Sequence, residues 1–285
     1  MAGIGVILDA HVHFWDPDAR HHAWLDEHPT LRRRFVPADY DAGCHAVGGA
    51  VFVQADCRDD EAIDEVRWVA ALAKSDPFVR GIVAYAPVHL GAAAEDGLAA
   101  VAAEPLVVGV RRLLQGQPRT ALEDRALIDG VGLLAAYDLS FDVCVSHAQL
   151  PAVTRIVEAC PDVRFALDHL GKPRVAAARL DPWRGDLARL AALPNVACKL
   201  SGLTTEAAPG WQAADVRPYL DHALDAFGPT RCMVGSDWPV ASLATTTERW
   251  FDVVLEALAF LDTHERDAVL SDTAEDCYAS RDLHR

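Results

Sequence analysis

The strongest constraint in this chain is a rhythm. Short apolar runs rich in Val, Ile and Leu stand at residues 5–8, 50–53, 79–85, 106–110, 141–145, 163–167, 196–200 and 232–234, spaced by one strand plus one helix. Most intervals carry apolar residues at helical spacing. Ile63, Val66, Ala70 and Ala73 form one stripe, and Leu150, Val153, Ile156, Val157 and Cys160 a second. Val216, Leu220, Ala223, Leu224 and Phe227 form a third, stopped by Gly228-Pro229. Strands that are apolar on both faces and alternate with helices belong to a parallel sheet covered on both sides. Eight such units predict a closed (β/α)8 barrel, and 285 residues suit one domain spanning 1–285. No glycine-rich phosphate-binding turn follows the first run, which argues against a doubly wound nucleotide-binding sheet.

The intervals also carry their own signals. Ala-rich stretches near 91–103 and 175–192 read as helix, as do 247–261 and a short segment near 265–270, followed by a polar tail. The interval 14–42 has no period and is too long for a simple connection, as functional loops are. It holds Trp15 and Trp24, either able to floor a substrate or to pack the loop down.

Charge and composition exclude several roles. A formal charge of −16 gives nucleic acid no footprint, and Arg32-Arg33-Arg34 is too short a basic run to supply one. No apolar stretch approaches the ~18–20 residues of a membrane span. The N-terminus lacks the basic-then-apolar pattern of a signal peptide. The seven cysteines are odd in number and contain no Cys-x-x-Cys pair, so reduced thiols in the cytoplasm are expected. Oligomeric state is not readable.

In a (β/α)8 barrel the active site forms at the carboxyl ends of the strands. His11 and His13 end the first run, and alternate strand residues share a face. Asp9 has their parity and is expected one layer deeper. Gln54 and then Asp56 follow the second run, Arg111 and Arg112 the fourth, Ser146 and His147 the fifth. Asp168 and His169 follow the sixth, Lys199 and Ser201 the seventh, and Gly235-Ser236-Asp237-Trp238-Pro239 the eighth. Neighbours on a strand point to opposite faces, so one of Asp168 and His169 enters the mouth, and His169 is preferred. Arg111 is preferred to Arg112 for substrate. Lys199 alternates with apolar neighbours and is expected inward, against substrate or in an ion pair with Asp9 or Asp237. Gln54, His147, Trp24 and His28 complete the candidate substrate contacts. His21, His22, His45, His89, His222, His264 and His284 are expected at the surface.

The phrases Asp9-Ala-His-Val-His-Phe-Trp-Asp16, Gly109-Val-Arg-Arg112, Leu167-Asp-His-Leu-Gly-Lys-Pro173, Cys198-Lys-Leu-Ser201 and Gly235-Ser-Asp-Trp-Pro239 resemble the amidohydrolase superfamily. They are most similar to its metal-sparing lactonase branch, which includes L-fuconolactone and L-rhamnonolactone hydrolases and 2-pyrone-4,6-dicarboxylate lactonases. The resemblance covers nearly the whole chain. It implies hydrolysis of a small sugar-acid lactone to the open aldonate. Two-metal members of the superfamily carry a bridging Lys or Glu on strand 4, where this chain has Arg111 and Arg112, so a binuclear site is not expected.

Lactone hydrolysis needs a base for water and donors for the developing oxyanion. Asp237 is the expected base. His11, His13 and His169 either supply the donors or, with Asp237, hold one divalent ion, zinc by ligand type. Metal-dependent and metal-independent reactions both stay open. A dicarboxylated pyrone is the first alternative substrate and would need two carboxylate clamps. A metal-dependent decarboxylase is the second, with His147 as a strand-5 ligand.

Overall fold

The computed structural model describes residues 5–279. Eight parallel strands pair in sequence order: β1 (Ile7–Val12), β2 (Val47–Val53), β3 (Val79–Ala84), β4 (Val107–Arg111), β5 (Ser140–Val143), β6 (Phe165–Leu167), β7 (Val196–Leu200) and β8 (Cys232–Val234). Val12 bridges to Trp238, and the His13 amide donates to the Trp238 carbonyl at 2.7 Å. The last strand thereby returns to the first, and the sheet is a barrel. The helices are α1 (Ala62–Ser75), α2 (Glu95–Ala102), α3 (Arg119–Leu122), α4 (Arg125–Gly132), α5 (Leu150–Ala159), α6 (Trp183–Ala191), α7 (Ala213–Phe227), α8 (Thr247–Ala257), α9 (Thr263–Asp267) and α10 (Thr273–Cys277). Among the described residues no helix is long and apolar enough to cross a membrane.

Two buried layers hold the barrel together. The larger joins strands to helices through residues such as Phe52, Val66, Val153, Phe165 and Leu220. The smaller contains Ala10, Val51, Val53, Val83, Val108, Ala166 and Met233, with Ala274, Cys277 and Tyr278 from the C-terminal segment. Both are the two-faced apolar strands anticipated from sequence.

Each of the eight apolar runs is a strand, and the (β/α)8 expectation holds. The gaps in the helical reading have physical causes. α4 is short and contains Gly130, where an added Cβ would stand 1.9 Å from the Val88 carbonyl. Glycine permits that approach and weakens the helical signal at the same time. The 175–192 stretch is a 3-10 turn (Val175–Ala177) followed by α6, and the tail near 265–270 is broken into α9, a π turn (Ala268–Asp272) and α10.

The long interval after β1 is ordered by its own small core. Trp15 and Phe35 pair as an antiparallel bridge, and Trp15, Leu25, Leu31 and Phe35 are all buried. The Trp15 indole donates to the Leu31 carbonyl at 3.0 Å, so packing is its role. His22 is also buried, against Trp15, with Nδ1 3.0 Å from the Arg20 carbonyl, which corrects its surface assignment. His284 lies outside the described residues.

Candidate active site

The seam between β8 and β1 builds the centre of the site. Past β8 the chain turns through Asp237 in the left-handed region, φ 60°, a conformation Asp tolerates better than most residues. The Asp237 amide donates to the His11 carbonyl at 2.9 Å, fixing the carboxylate beside both strand-1 histidines. Its Oδ1 lies 3.5 Å from His13 Nε2, 3.7 Å from His11 Nε2 and 3.9 Å from His169 Nε2. Burial raises the Asp237 carboxyl, but His169, the His13 hydrogen bond and His11 outweigh it and hold the group well below the usual carboxylate range.

His11 and His13 share a face as alternation requires, with their Nε2 atoms 3.1 Å apart. Asp9 does not share it. Between Asp9 and Val12 the strand carries one more residue than its partner β2, a bulge that reverses side-chain parity. The Asp9 carboxylate instead accepts from the Ser236 amide at 2.8 Å and the Tyr40 hydroxyl at 2.8 Å. It clamps the turn that carries Asp237, and burial lifts its pKa to about 6.

The choice between Asp168 and His169 also fails for a backbone reason. β6 ends at Leu167, and His169 and Leu170 are both left-handed, φ 54°, so strand alternation no longer applies. Both side chains turn inward. His169 Nδ1 lies 2.8 Å from Ser201 Oγ, with its Nε2 toward Asp237. Room for the ring depends on Gly202 (φ 64°), where a Cβ would fall 2.4 Å from His169 Nδ1. Burial brings the His169 pKa down to about 4.

Beneath the histidines lies a sealed layer of charge. Lys199 pairs with Asp142, stands 3.1 Å from Asp168 Oδ1 and 3.1 Å from His11 Nδ1, and has no solvent exposure. Tyr278 donates to Asp142 at 2.9 Å, and Arg111 reaches Asp168 at 3.3 Å and the Gln54 carbonyl. Two cations therefore face two carboxylates, the balance a dry interior requires. Burial opposes ionisation of Asp168, yet Lys199, His11 and Arg111 hold its carboxyl well below the usual range. Burial raises the Asp142 carboxyl above the usual carboxylate range, against the pull of Lys199.

Lys199 is thus inward, and it pairs with Asp142 and Asp168 instead of the expected Asp9 or Asp237. Arg111 faces inward too and is engaged by Asp168. Arg112 sits at the rim, 5.6 Å over the Tyr85 ring and 3.9 Å from Asp59. Gln54 is buried and accepts from the Asp56 amide. Trp24 donates to the Ala55 carbonyl at 2.8 Å, with His28 packed on it at 6.0 Å between ring centroids. His147 is partly exposed just past β5. Sequence reading missed Asp142 and Tyr278. An acid and a base, Asp142 and Lys199, each isolated within an apolar run, were the available signal for the first.

The donor set fits one divalent ion. His11, His169 and Asp237 each offer a ligand atom, and these atoms all lie within 4.8 Å of one another. Two nitrogens and a carboxylate oxygen suit zinc, with His13 adjacent. No strand-4 residue offers a bridging ligand, since Arg111 is cationic and occupied.

A parallel barrel here brings three histidines together on a carboxylate at its carboxyl-end mouth, where (β/α)8 enzymes hold their active sites. Residues 8–279 match the amidohydrolase family, and the chain belongs to it. It is 35% identical over 294 residues to an L-fucono-1,5-lactonase of Burkholderia multivorans, covering 95% of each chain. A second L-fucono-1,5-lactonase, from Burkholderia ambifaria, is 34% identical over 241 residues, 83% of this chain and 81% of that one. Among solved structures, an amidohydrolase from Burkholderia multivorans with bound zinc superposes with a TM-score of 0.84 at 34% identity, covering 97% of this chain and 100% of that one.

Proposed function

We propose that this protein hydrolyses a sugar-acid lactone of the L-fucono- or L-rhamnono-lactone kind to the open aldonate. The observation that carries the reading is Asp237, an ionised carboxylate ringed by three histidine Nε2 atoms at the barrel mouth. Similarity to two L-fucono-1,5-lactonases supports it.

Asp237 takes a proton from water as the oxygen attacks the lactone carbonyl, and the imidazole N–H groups stabilise the resulting oxyanion. Collapse breaks the ring C–O bond. The proton held by Asp237 passes to the departing alkoxide, giving the hydroxyl of the aldonate and restoring the carboxylate. His11, His13, His169 and Asp237 would hold a zinc ion, which when bound supplies Lewis-acid polarisation of the carbonyl.

The occupied cations favour a neutral polyhydroxylated lactone. Arg111 is committed to Asp168 and Lys172 lies 3.6 Å from Glu206, which leaves Arg112 at the rim for substrate. A dicarboxylated pyrone would need free clamps of this kind. A decarboxylase would need His147 as a ligand, and among the described residues His147 belongs to neither group of side chains close enough to share an ion. Arg112, Trp24, His28, Gln54 and His147 remain our candidates for substrate contact. All seven cysteines are free thiols, which supports a reducing compartment, and we place the reaction in the cytoplasm.

A pH-indicator screen of aldonolactones tests the reading, since ring opening releases a proton. Rapid hydrolysis of an L-fucono- or L-rhamnono-lactone supports it; turnover of a pyrone dicarboxylate alone overturns it. In the same assay, activity that falls with chelator and returns with Zn²⁺ would make the ion part of the reaction.

A further inference from the structure

The segment that leaves β2 for the barrel mouth is pinned at nearly every peptide. The Val53 carbonyl lies 2.7 Å from His13 Nδ1, and the Gln54 carbonyl accepts from Arg111. The Ala55 amide donates to Glu65 at 3.1 Å, and the Ala55 carbonyl accepts from the Trp24 indole at 2.8 Å. The Asp56 amide donates to Gln54 Oε1, and the Arg58 amide to the His21 carbonyl at 3.1 Å. Asp56 itself is left-handed, φ 56°, a backbone state uncommon outside glycine. Such residues persist where their surroundings hold them, and they cluster at ligand sites.

This scaffold presents a side chain that has no partner of its own. The Asp56 carboxylate is exposed, and among the described residues it accepts no hydrogen bond and forms no ion pair. Other acids around the mouth are engaged: Asp59 by the Tyr85 hydroxyl, Glu206 by Lys172 and Asp168 by Arg111. Crowding by the surrounding chain raises the Asp56 carboxyl above its ordinary value, while the charges of Arg111, Arg112 and His13 pull it back. The carboxylate therefore stands in the field of the rim arginine and of the strand-1 histidine, apart from Asp237 on the far seam. An ionised carboxylate can only accept hydrogen bonds, and a guanidinium can only donate them. A hydroxyl does both, so Asp56 and Arg112 together match a polyhydroxylated edge.

We propose that Asp56 is a specificity-determining residue that accepts hydrogen bonds from the ring hydroxyls of the substrate, with Arg112 as the complementary donor. The inference rests on the lactonase reading and adds to it the group that recognises hydroxyls. A ring without hydroxyls leaves the carboxylate unmatched, and a carboxylated ring meets a like charge. The contact lies away from the reacting carbonyl, so ground and transition states share it and its loss appears in KM.

Steady-state kinetics on two substrates test this: a neutral polyhydroxylated aldonolactone, and δ-valerolactone, a ring without hydroxyls. Asp56→Asn removes the charge, Asp56→Gly removes the side chain, and both residues tolerate the left-handed backbone. The preference for the hydroxylated lactone, as a ratio of kcat/KM values, is expected to fall about tenfold in Asp56→Asn and further in Asp56→Gly. A rise in KM for the hydroxylated lactone should carry the loss, with kcat and the melting temperature close to wild type. An unchanged KM for that lactone in the folded variants, or an equal loss on both rings, would overturn the proposal and leave the lactonase reading intact. Wild-type protein that opens neither ring would remove both together.

Discussion

Two carboxylates flank the same imidazole and meet opposite fates. Asp168 lies 3.3 Å from His11 Nδ1, and Asp237 lies 3.7 Å from His11 Nε2; both follow strand ends, and both are buried. Asp168 is sealed under the ring between Lys199 and Arg111, fixed cations that neutralise it permanently. Asp237 faces the mouth among histidines, whose charge and protons can change. A carboxylate held by permanent cations is a structural counter-ion, while one held by titratable rings stays free to take a proton. The chemistry of the neighbours separates the roles, because residue type, burial and backbone position are nearly shared.

Asp237→Asn would strain that distinction most. Loss of a general base costs about 10²–10⁴-fold in rate, so kcat is expected to fall about a thousandfold with the melting temperature nearly unchanged. A lactonase rate within a few-fold of wild type would remove Asp237 from the base role. Asp168→Asn should show the reverse pattern. Breaking a buried ion pair from one side costs about 3–5 kcal/mol, so urea unfolding should reveal a large stability loss while kcat per folded molecule falls far less than in Asp237→Asn. Equal losses of rate in the two variants would erase the difference between the layers.

A third carboxylate sharpens the comparison, because Arg20 and Arg111 act on it without outweighing its burial. Glu65 accepts one hydrogen bond, from the Ala55 amide at 3.1 Å, and its other oxygen has no partner among the described residues. Burial raises its pKa from 4.5 to about 7. A folded pKa above the unfolded value means that stability is fully present below about pH 4.5 and is lost as pH rises through about 7. Glu65→Gln keeps the acceptor and removes the charge. It is expected to stabilise the protein by up to about 3 kcal/mol at pH 8 and negligibly at pH 4, read from paired melts. A variant equally stable relative to wild type at both pH values would contradict this. The smallest effect belongs to the rim: Arg112→Ala should raise KM a few-fold with kcat unchanged, the signature of binding shared by ground and transition states.

Much of this arrangement was legible in order along the chain. Alternation put His11 and His13 on one face, and the end of the eighth apolar run located Asp237. These inferences succeed because the periods of strand and helix are local properties of the backbone. They fail where the backbone leaves its period. The bulge after Asp9 moves that carboxylate away from the histidines, and the left-handed residues after Leu167 bring Asp168 and His169 in together.

By itself the sequence determined the eight-fold strand and helix order, the barrel it closes into, and the three histidines and one aspartate at its mouth. Only the tertiary structure decided who partners whom. Lys199 meets Asp142 across 57 residues, Tyr278 reaches Asp142 across 136, and Lys199 comes within 3.1 Å of His11 across 188. Electrostatic and hydrogen-bond roles depend on distance and angle in space, and closure of the barrel is what brings those groups within reach.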